Sequence, residues 1–339
     1  MKKRVEWIDF LSGIMIIWMI IYHIFIFTGN KQSLACEELY KVFYFFMPWF
    51  FFKSGMLAKD APLKQVVVSS TKKLLVPYVA FSFLGYLACF LQQLLLKDLS
   101  FDKMVVEPAA VLLYTGSVLG NLPLWFLLGL FFDKVLWQVL IKKNITNYYI
   151  AVISLIICFG GHILGIKHFF YIWFTFSGLF FYSLGNILKD IQFAQAFRIS
   201  AIVVYIIAIV ALPNSVQMRS NSLEFGYYML WPLTSVSAII AWNNFAICTE
   251  RKVYKIMALE KLWGGVRAVG NNSMYLYVTH AMILGLVTVA ISSFDMGVNL
   301  FWVTLLVCIV LLPLCSIGAK KLLDKIEVIF MRTEKMIIV

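Results

Sequence analysis

The chain has 339 residues, of which 62% are apolar and 14% charged, against about 45–50% and 25% in soluble domains; that balance excludes an ordinary water-soluble enzyme. The apolar stock of about 210 residues, divided into spans of about 20, supplies roughly ten membrane crossings, so 1–339 reads as a single integral membrane domain. A net charge of +12 raises nucleic acid as a partner, but basic membrane proteins collect their cations in cytoplasmic loops.

A helix in lipid must satisfy its own backbone groups, so apolar runs bounded by charges or turn residues are read as spans. Met1-Lys2-Lys3-Arg4 opens like a signal peptide, yet the apolar stretch runs to about Phe27 without a small-residue cleavage site and is expected to stay as a first span, 8–28. The others are expected at 42–58, 74–96, 122–141, 148–166, 169–188, 197–213, 225–247, 270–292 and 299–319. The stretch 99–118, with Pro108, Gly116 and alternating charges, reads as an outer loop holding an apolar hairpin or an interfacial helix. The fold class is therefore an all-α membrane bundle of about ten transmembrane helices.

Lys and Arg in alternate loops set the orientation. With the N-terminus inside, 22 of the 29 fall on the cytoplasmic side and 6 outside, leaving Lys53 within the second span. The excess is explained as topology: both termini cytoplasmic, a multi-pass protein of the plasma or inner membrane, with the lipid bilayer and no nucleic acid as partner. The six cysteines form no CxxC pair, so neither a disulfide framework nor a metal site is indicated. No internal repeat is visible, which disfavours a transporter built from repeats.

Ionisable residues inside spans are costly and are functional candidates by default. In the first span Asp9, Ser12, Met19 and His23 follow spacings of 3, 7 and 4, one helical face. His23 lies 15 residues beyond the inner boundary, about 22 Å, in the outer half of the hydrocarbon core. It serves either as a reactive group or as a packing hydrogen bonder. Lys53, in Phe50-Phe51-Phe52-Lys53-Ser54-Gly55, needs an aqueous cavity or a partner, of which Asp9 is one. Ser273, Tyr277 and His280 share a face at i, i+4 and i+7, a polar stripe that suits either a site or an interhelical seam. Asp133, next to Lys134, reads as half of a helix-end pair near the inner surface, and His162 and His168 as outer-loop residues. Phosphate loops, dinucleotide fingerprints, HExxH helices and GxSxG elbows are absent.

The run Trp7-Ile8-Asp9-Phe10-Leu11 leading to Tyr22-His23, then Phe46-Met47-Pro48-Trp49-Phe50-Phe51-Phe52-Lys53-Ser54-Gly55-Met56, resembles the acyltransferase-3 family of integral membrane acyltransferases. Lys72-Lys73-Leu74-Leu75-Val76-Pro77-Tyr78, Leu124-Trp125-Phe126-Leu127 and Ser273-Met274-Tyr275-Leu276-Tyr277-Val278-Thr279-His280 extend the resemblance, in order, over nearly the whole chain. It implies transfer of an acyl group, usually acetyl, from cytoplasmic acyl-CoA to a carbohydrate hydroxyl across the membrane, with acetyl-CoA as a donor substrate and no permanently bound cofactor. It implies His23 as catalytic base, with Asp9, Lys72 and Lys73 on the acyl-donor side and Trp125 and His280 at recurring positions. The family usually carries Arg or Lys eleven residues before the first-span histidine. Here that place is Ser12, and Lys53 is expected to supply the cation from the neighbouring helix. A rival reading is a secondary transporter or glycan flippase that uses Asp9, His23, Lys53 and His280 as a path. A third is a sensor or partner-binding domain on the same fold.

Overall fold

The computed structural model describes residues 5–164, 172–211, 225–254, 257–292 and 299–337. Helix dominates them, as a chain with few polar partners for its backbone requires, and no strand is present among the described residues. In order the helices are α1 (Glu6–Phe27), α2 (Leu34–Phe43), α3 (Phe46–Met56), α4 (Leu63–Ser70), α5 (Val76–Leu95), α6 (Glu107–Thr115) and α7 (Trp125–Lys142). They continue with α8 (Asn147–Ile163), α9 (Ile172–Leu188), α10 (Gln195–Ala211), α11 (Phe225–Val253), α12 (Met257–Asn271), α13 (Ser273–Ser292) and α14 (Leu300–Ile337). Among the described residues five helices are long and apolar enough to cross a membrane: Glu6–Phe27, Leu63–Leu95, Leu122–Lys142, Ser273–Ser292 and Leu300–Val328. The protein is a multi-pass membrane protein, and α1 is the most buried of the five.

Four expectations change. The second span is not one helix: α2 and α3 meet at a bend over Tyr44 and Phe45. Pro48, near the start of α3, has a ring that clashes with the carbonyl four residues back and lacks the N–H that a continuous helix would use. The third span starts at Leu63 rather than 74, as a 33-residue rod in which α4 and α5 join through a wide π-type turn at 71–75. That turn absorbs Pro77, which follows it directly.

The stretch 99–118 forms a helix, one of its two expected forms, but its end at Ser117 and Val118 is buried instead of lying in a loop. Its helix lies along α5, with Tyr86 Oη donating to the Met104 carbonyl at 3.0 Å and Tyr78 Oη to the Gly116 carbonyl at 3.0 Å. These two tyrosines are eight residues apart, about 12 Å along α5, so the segment descends beside it. Gly116, at φ 63°, ends the helix in the left-handed cap that glycine favours. The chain then turns through 116–124, where Gly120 has φ 82° and sits against the Gly85 carbonyl. Asn121 Nδ2 donates to the Val278 carbonyl at 2.8 Å. Ser117, Val118 and Asn121 are buried, as irregular backbone within a membrane protein must be.

Finally, the expected inner loop before the ninth span carries α12, which packs on the first half of α1. Trp263 stacks on Phe10 with ring centroids 3.8 Å apart. A Cβ at Gly13 would strike the Val266 carbonyl and one at Gly270 the Asp9 carbonyl, the close backbone approach that small residues permit between membrane helices. At its far end this contact is closed by Arg267 Nη1, 2.5 Å from Glu6 Oε2, and by Tyr254 donating to the same carboxylate.

Candidate active site

The site is organised by α1, which carries His23 five turns above its start. His23 Nδ1 lies 2.8 Å from the Met19 carbonyl oxygen. A carbonyl only accepts, so Nδ1 holds the ring proton and Nε2 is left with the lone pair. His23 lines a cavity of about 450 Å³ at the end of α1 remote from its start, with Tyr22, Tyr40, Tyr44, Trp125 and Tyr277 among its walls. Gly120, Leu122 and Pro123 also face it, so the buried turn at 116–124 is one wall of the cavity.

The wall opposite comes from α13. Tyr277 hydrogen-bonds through its hydroxyl to the Pro123 carbonyl, which ties α13 to the turn. His280, one helical turn further on, is fully buried, and its ring centroid lies 4.9 Å from that of His23 at 64°. His280 Nδ1 lies 2.7 Å from the Tyr277 carbonyl, so by the same reasoning its Nε2 carries a lone pair. That atom is buried and has no hydrogen-bond partner among the described residues. The two imidazoles meet edge to face, each with its Nδ1 proton held by a carbonyl of its own helix.

Below this pair Ser12 is fully buried, and its Oγ donates to the Ile8 carbonyl at 2.7 Å. The same oxygen accepts from Lys53 Nζ at 2.7 Å. The ammonium also lies 5.6 Å from the Trp49 ring and 5.7 Å from the Phe50 ring, within cation–π range. The fold thus delivers the Lys53 cation to the place of Ser12, which is eleven residues, about 16 Å, below His23 along α1. Trp49 Nε1 in turn donates to Asn243 Oδ1 at 2.9 Å.

Of the residues singled out by sequence, His23, Trp125, Tyr277 and His280 come together, and Ser12 and Lys53 form a second group beneath them. Asp9 is buried near the start of α1, 14 residues and about 21 Å from His23. Ser273 is half-buried at the first residue of α13, below the cavity. Lys72 and Lys73 line a different groove, shared with Asp324 and Glu327. His162 is half-buried at the end of α8, and His168 lies outside the described residues.

The expectation for Asp133 is overturned. Its side chain is fully buried midway along α7, packed on Gly178, and neither carboxylate oxygen has a hydrogen-bond partner among the described residues. Neighbours i and i+1 on a helix do not share a face, so Asp133 turns into the bundle while Lys134 does not pair with it. Sequence reasoning also missed Tyr40, Tyr44 and Gln92 as cavity residues. Their only signal was being polar near predicted span ends.

Among the described residues no group of three or more His, Cys, Asp or Glu side chains is arranged to hold a metal ion. A family model described as an acyltransferase domain matches residues 5–320. No curated protein and no solved structure matches the chain.

Proposed function

Because the chain belongs to the acyltransferase-3 family, we propose that it is a multi-pass membrane O-acyltransferase that moves an acetyl group from cytoplasmic acetyl-CoA to a hydroxyl of a carbohydrate or polysaccharide. The acceptor lies on the far side of the plasma or inner membrane, and both termini lie in the cytoplasm, as the loop charges argue. The observation that carries this reading is His23: an imidazole with its Nδ1 proton committed to Met19, on the wall of an outer cavity rich in aromatic side chains.

The chemistry follows from that nitrogen. His23 Nε2 takes the proton of the acceptor hydroxyl as its oxygen attacks the thioester carbonyl. The carbon–sulfur bond then breaks, and the departing thiolate takes the proton from the imidazolium, so charge and atoms balance at each step. Passage of the acyl group through His23 itself would use the same atom. His280 acts as a positioning residue, because its ring fills the space beside His23 and restricts how the base can turn. Trp125, Tyr22 and Tyr277 offer flat faces and hydroxyls to a sugar ring. Lys53 on Ser12 supplies the donor-side cation, and no bound cofactor is required beyond the donor substrate.

The test uses purified protein, labelled acetyl-CoA and surface glycan from cells lacking the protein. Label should appear on the glycan as base-labile ester, and should not with His23→Ala. Movement of solute without consumption of thioester would overturn this reading in favour of a transporter or flippase that uses Asp9, Lys53, His23 and His280.

A further inference from the structure

The inner ends of the helices enclose a second cavity, of about 350 Å³, whose lining includes Trp7, Phe193, Asn244 and three cations, Lys189, Arg198 and Arg251. No carboxylate is among the described residues that line it, so three positive charges face one space with nothing inside it to balance them. Helix electrostatics accounts for two of the three. Lys189 follows the last residue of α9, and Arg251 stands in the last turn of α11, the ends where cations are favoured.

Arg198 is placed against that rule. It lies in the first turn of α10, where the helix presents its positive end, and is held there by Nη1 donating to Asn244 Oδ1 at 3.2 Å. A cation fixed at the unfavourable end of its helix and facing a cavity is stabilised by an anion in that cavity. The groove of Lys72 and Lys73 offers a contrast, since Asp324 and Glu327 share it and supply the opposite charge.

We propose that this inner cavity binds the phosphate-bearing nucleotide end of the acyl-CoA donor, with Lys189, Arg198 and Arg251 on the phosphates and Trp7 or Phe193 against the adenine. The proposal rests on the donor named in the preceding section. Trp7 lies 16 residues before His23 on α1, about 24 Å. A ligand that serves both must carry its charge at one end and its reactive group at the end of a long slim arm, which describes an acyl-CoA. The way between them is marked by polar groups. Asn243 lines the inner cavity and accepts from Trp49, whose ring lies beside the Lys53 ammonium, itself bonded to Ser12. Anionic lipid headgroups share the phosphate chemistry, and the experiment separates the two.

The full chain is placed in nanodiscs of phosphatidylcholine, and the binding of acetyl-CoA and of adenosine 3′,5′-diphosphate is measured for wild type, Lys189→Gln, Arg198→Gln and Arg251→Gln. Lys189 and Arg251 are exposed at helix ends, so their variants keep the fold even if Arg198→Gln, which loses the tie to Asn244, does not. Each single variant should weaken both probes about tenfold and raise the donor KM while kcat at saturating donor persists. Unchanged binding of both probes in Lys189→Gln and Arg251→Gln, with wild-type transfer intact, overturns the nucleotide site and leaves the acyl-CoA reading standing. Cavity-dependent binding of adenosine 3′,5′-diphosphate by a wild-type chain that transfers no acyl group supports the site and overturns that reading. If phosphatidylglycerol in the disc displaces the nucleotide, and the variants lose retained lipid instead, the cavity belongs to lipid and the proposal fails.

Discussion

The two cavities differ in what builds them. The outer one is walled by aromatic rings and by a buried turn whose backbone is fixed through Asn121 and Tyr277; the inner one is made at helix ends and carries its cations there. Among the described residues none lines both, and two elements are common to them: α1, which shows His23 to the first and Trp7 to the second, and α3, which shows Phe46 and Met47 to the first and Phe52 and Met56 to the second. A neutral, polyhydroxylated ring is recognised by shape and stacking, which need rigid walls. A phosphate is recognised by charge, which cations at helix ends supply. The division sets the three cations of one cavity apart from His23 in the other, along the same two helices.

That contrast can be broken most severely at His23. Its replacement by Ala should lower transfer by about 10²–10⁴-fold, with the elution profile of the detergent-solubilised protein unchanged; appreciable turnover would detach the outer cavity from the chemistry. Next in size is Lys53. Lys53→Ala removes a charge-assisted bond to Ser12 and should cost about tenfold or more in kcat/KM for the donor, while Lys53→Arg keeps part of it. If donor affinity and turnover both survive the Ala change, the cation beside Ser12 has no part in donor binding.

Smaller effects test the turn. Gly120→Ala adds a Cβ at φ 82° against the Gly85 carbonyl and should destabilise by about 1–3 kcal/mol. Asn121→Ala, which loses its bond to Val278, should cost about 1–2 kcal/mol. Both should appear in thermal unfolding and raise the acceptor KM while donor affinity holds. A donor effect instead would mean that the turn serves the inner side.

The smallest effect concerns Asp60, in the loop between α3 and α4. Hydrogen bonds from Lys142 and Gln138 hold its carboxyl below the usual carboxylate range. A depressed carboxylate favours the folded state above its unfolded value, and the benefit is lost as pH falls through the folded one. Asp60→Asn should therefore lower Tm slightly at neutral pH, and the gap should close on acidification. Solvent exposure keeps it small.

Hydropathy made much of the bundle legible. The spans expected at 8–28, 122–141 and 270–292 correspond to Glu6–Phe27, Leu122–Lys142 and Ser273–Ser292, because long apolar runs leave the chain little choice. What escaped is whatever depends on a distant partner. Pro48 was visible, but its power to break the second span shows only against the Tyr44 carbonyl. The descent of α6 rests on Tyr78 and Tyr86 reaching backbone carbonyls 38 and 18 residues away, which no local pattern encodes. At the site, the face of His23 and Ser12 could be read from spacing. The meeting of Lys53 with Ser12 was an expectation carried by the family pattern, and the structure provides the contact. Lys189, Arg198 and Arg251 were counted for topology one by one, since nothing in their spacing announces a shared space. Asp133 was misplaced because adjacency in sequence is not adjacency on a helix.

The pairing of Lys53 with Ser12 also bears on biogenesis. During synthesis α1 leaves the ribosome before α3, apolar enough to enter the bilayer alone with its imidazole in place. Helix α3, 11 residues long and about 16 Å, cannot cross by itself, and its ammonium reaches Ser12 only once α1 is beside it. The nascent protein thus acquires its imidazole early and the ammonium's bond to Ser12 late. A copy stalled before α3 reaches α1 carries one without the other.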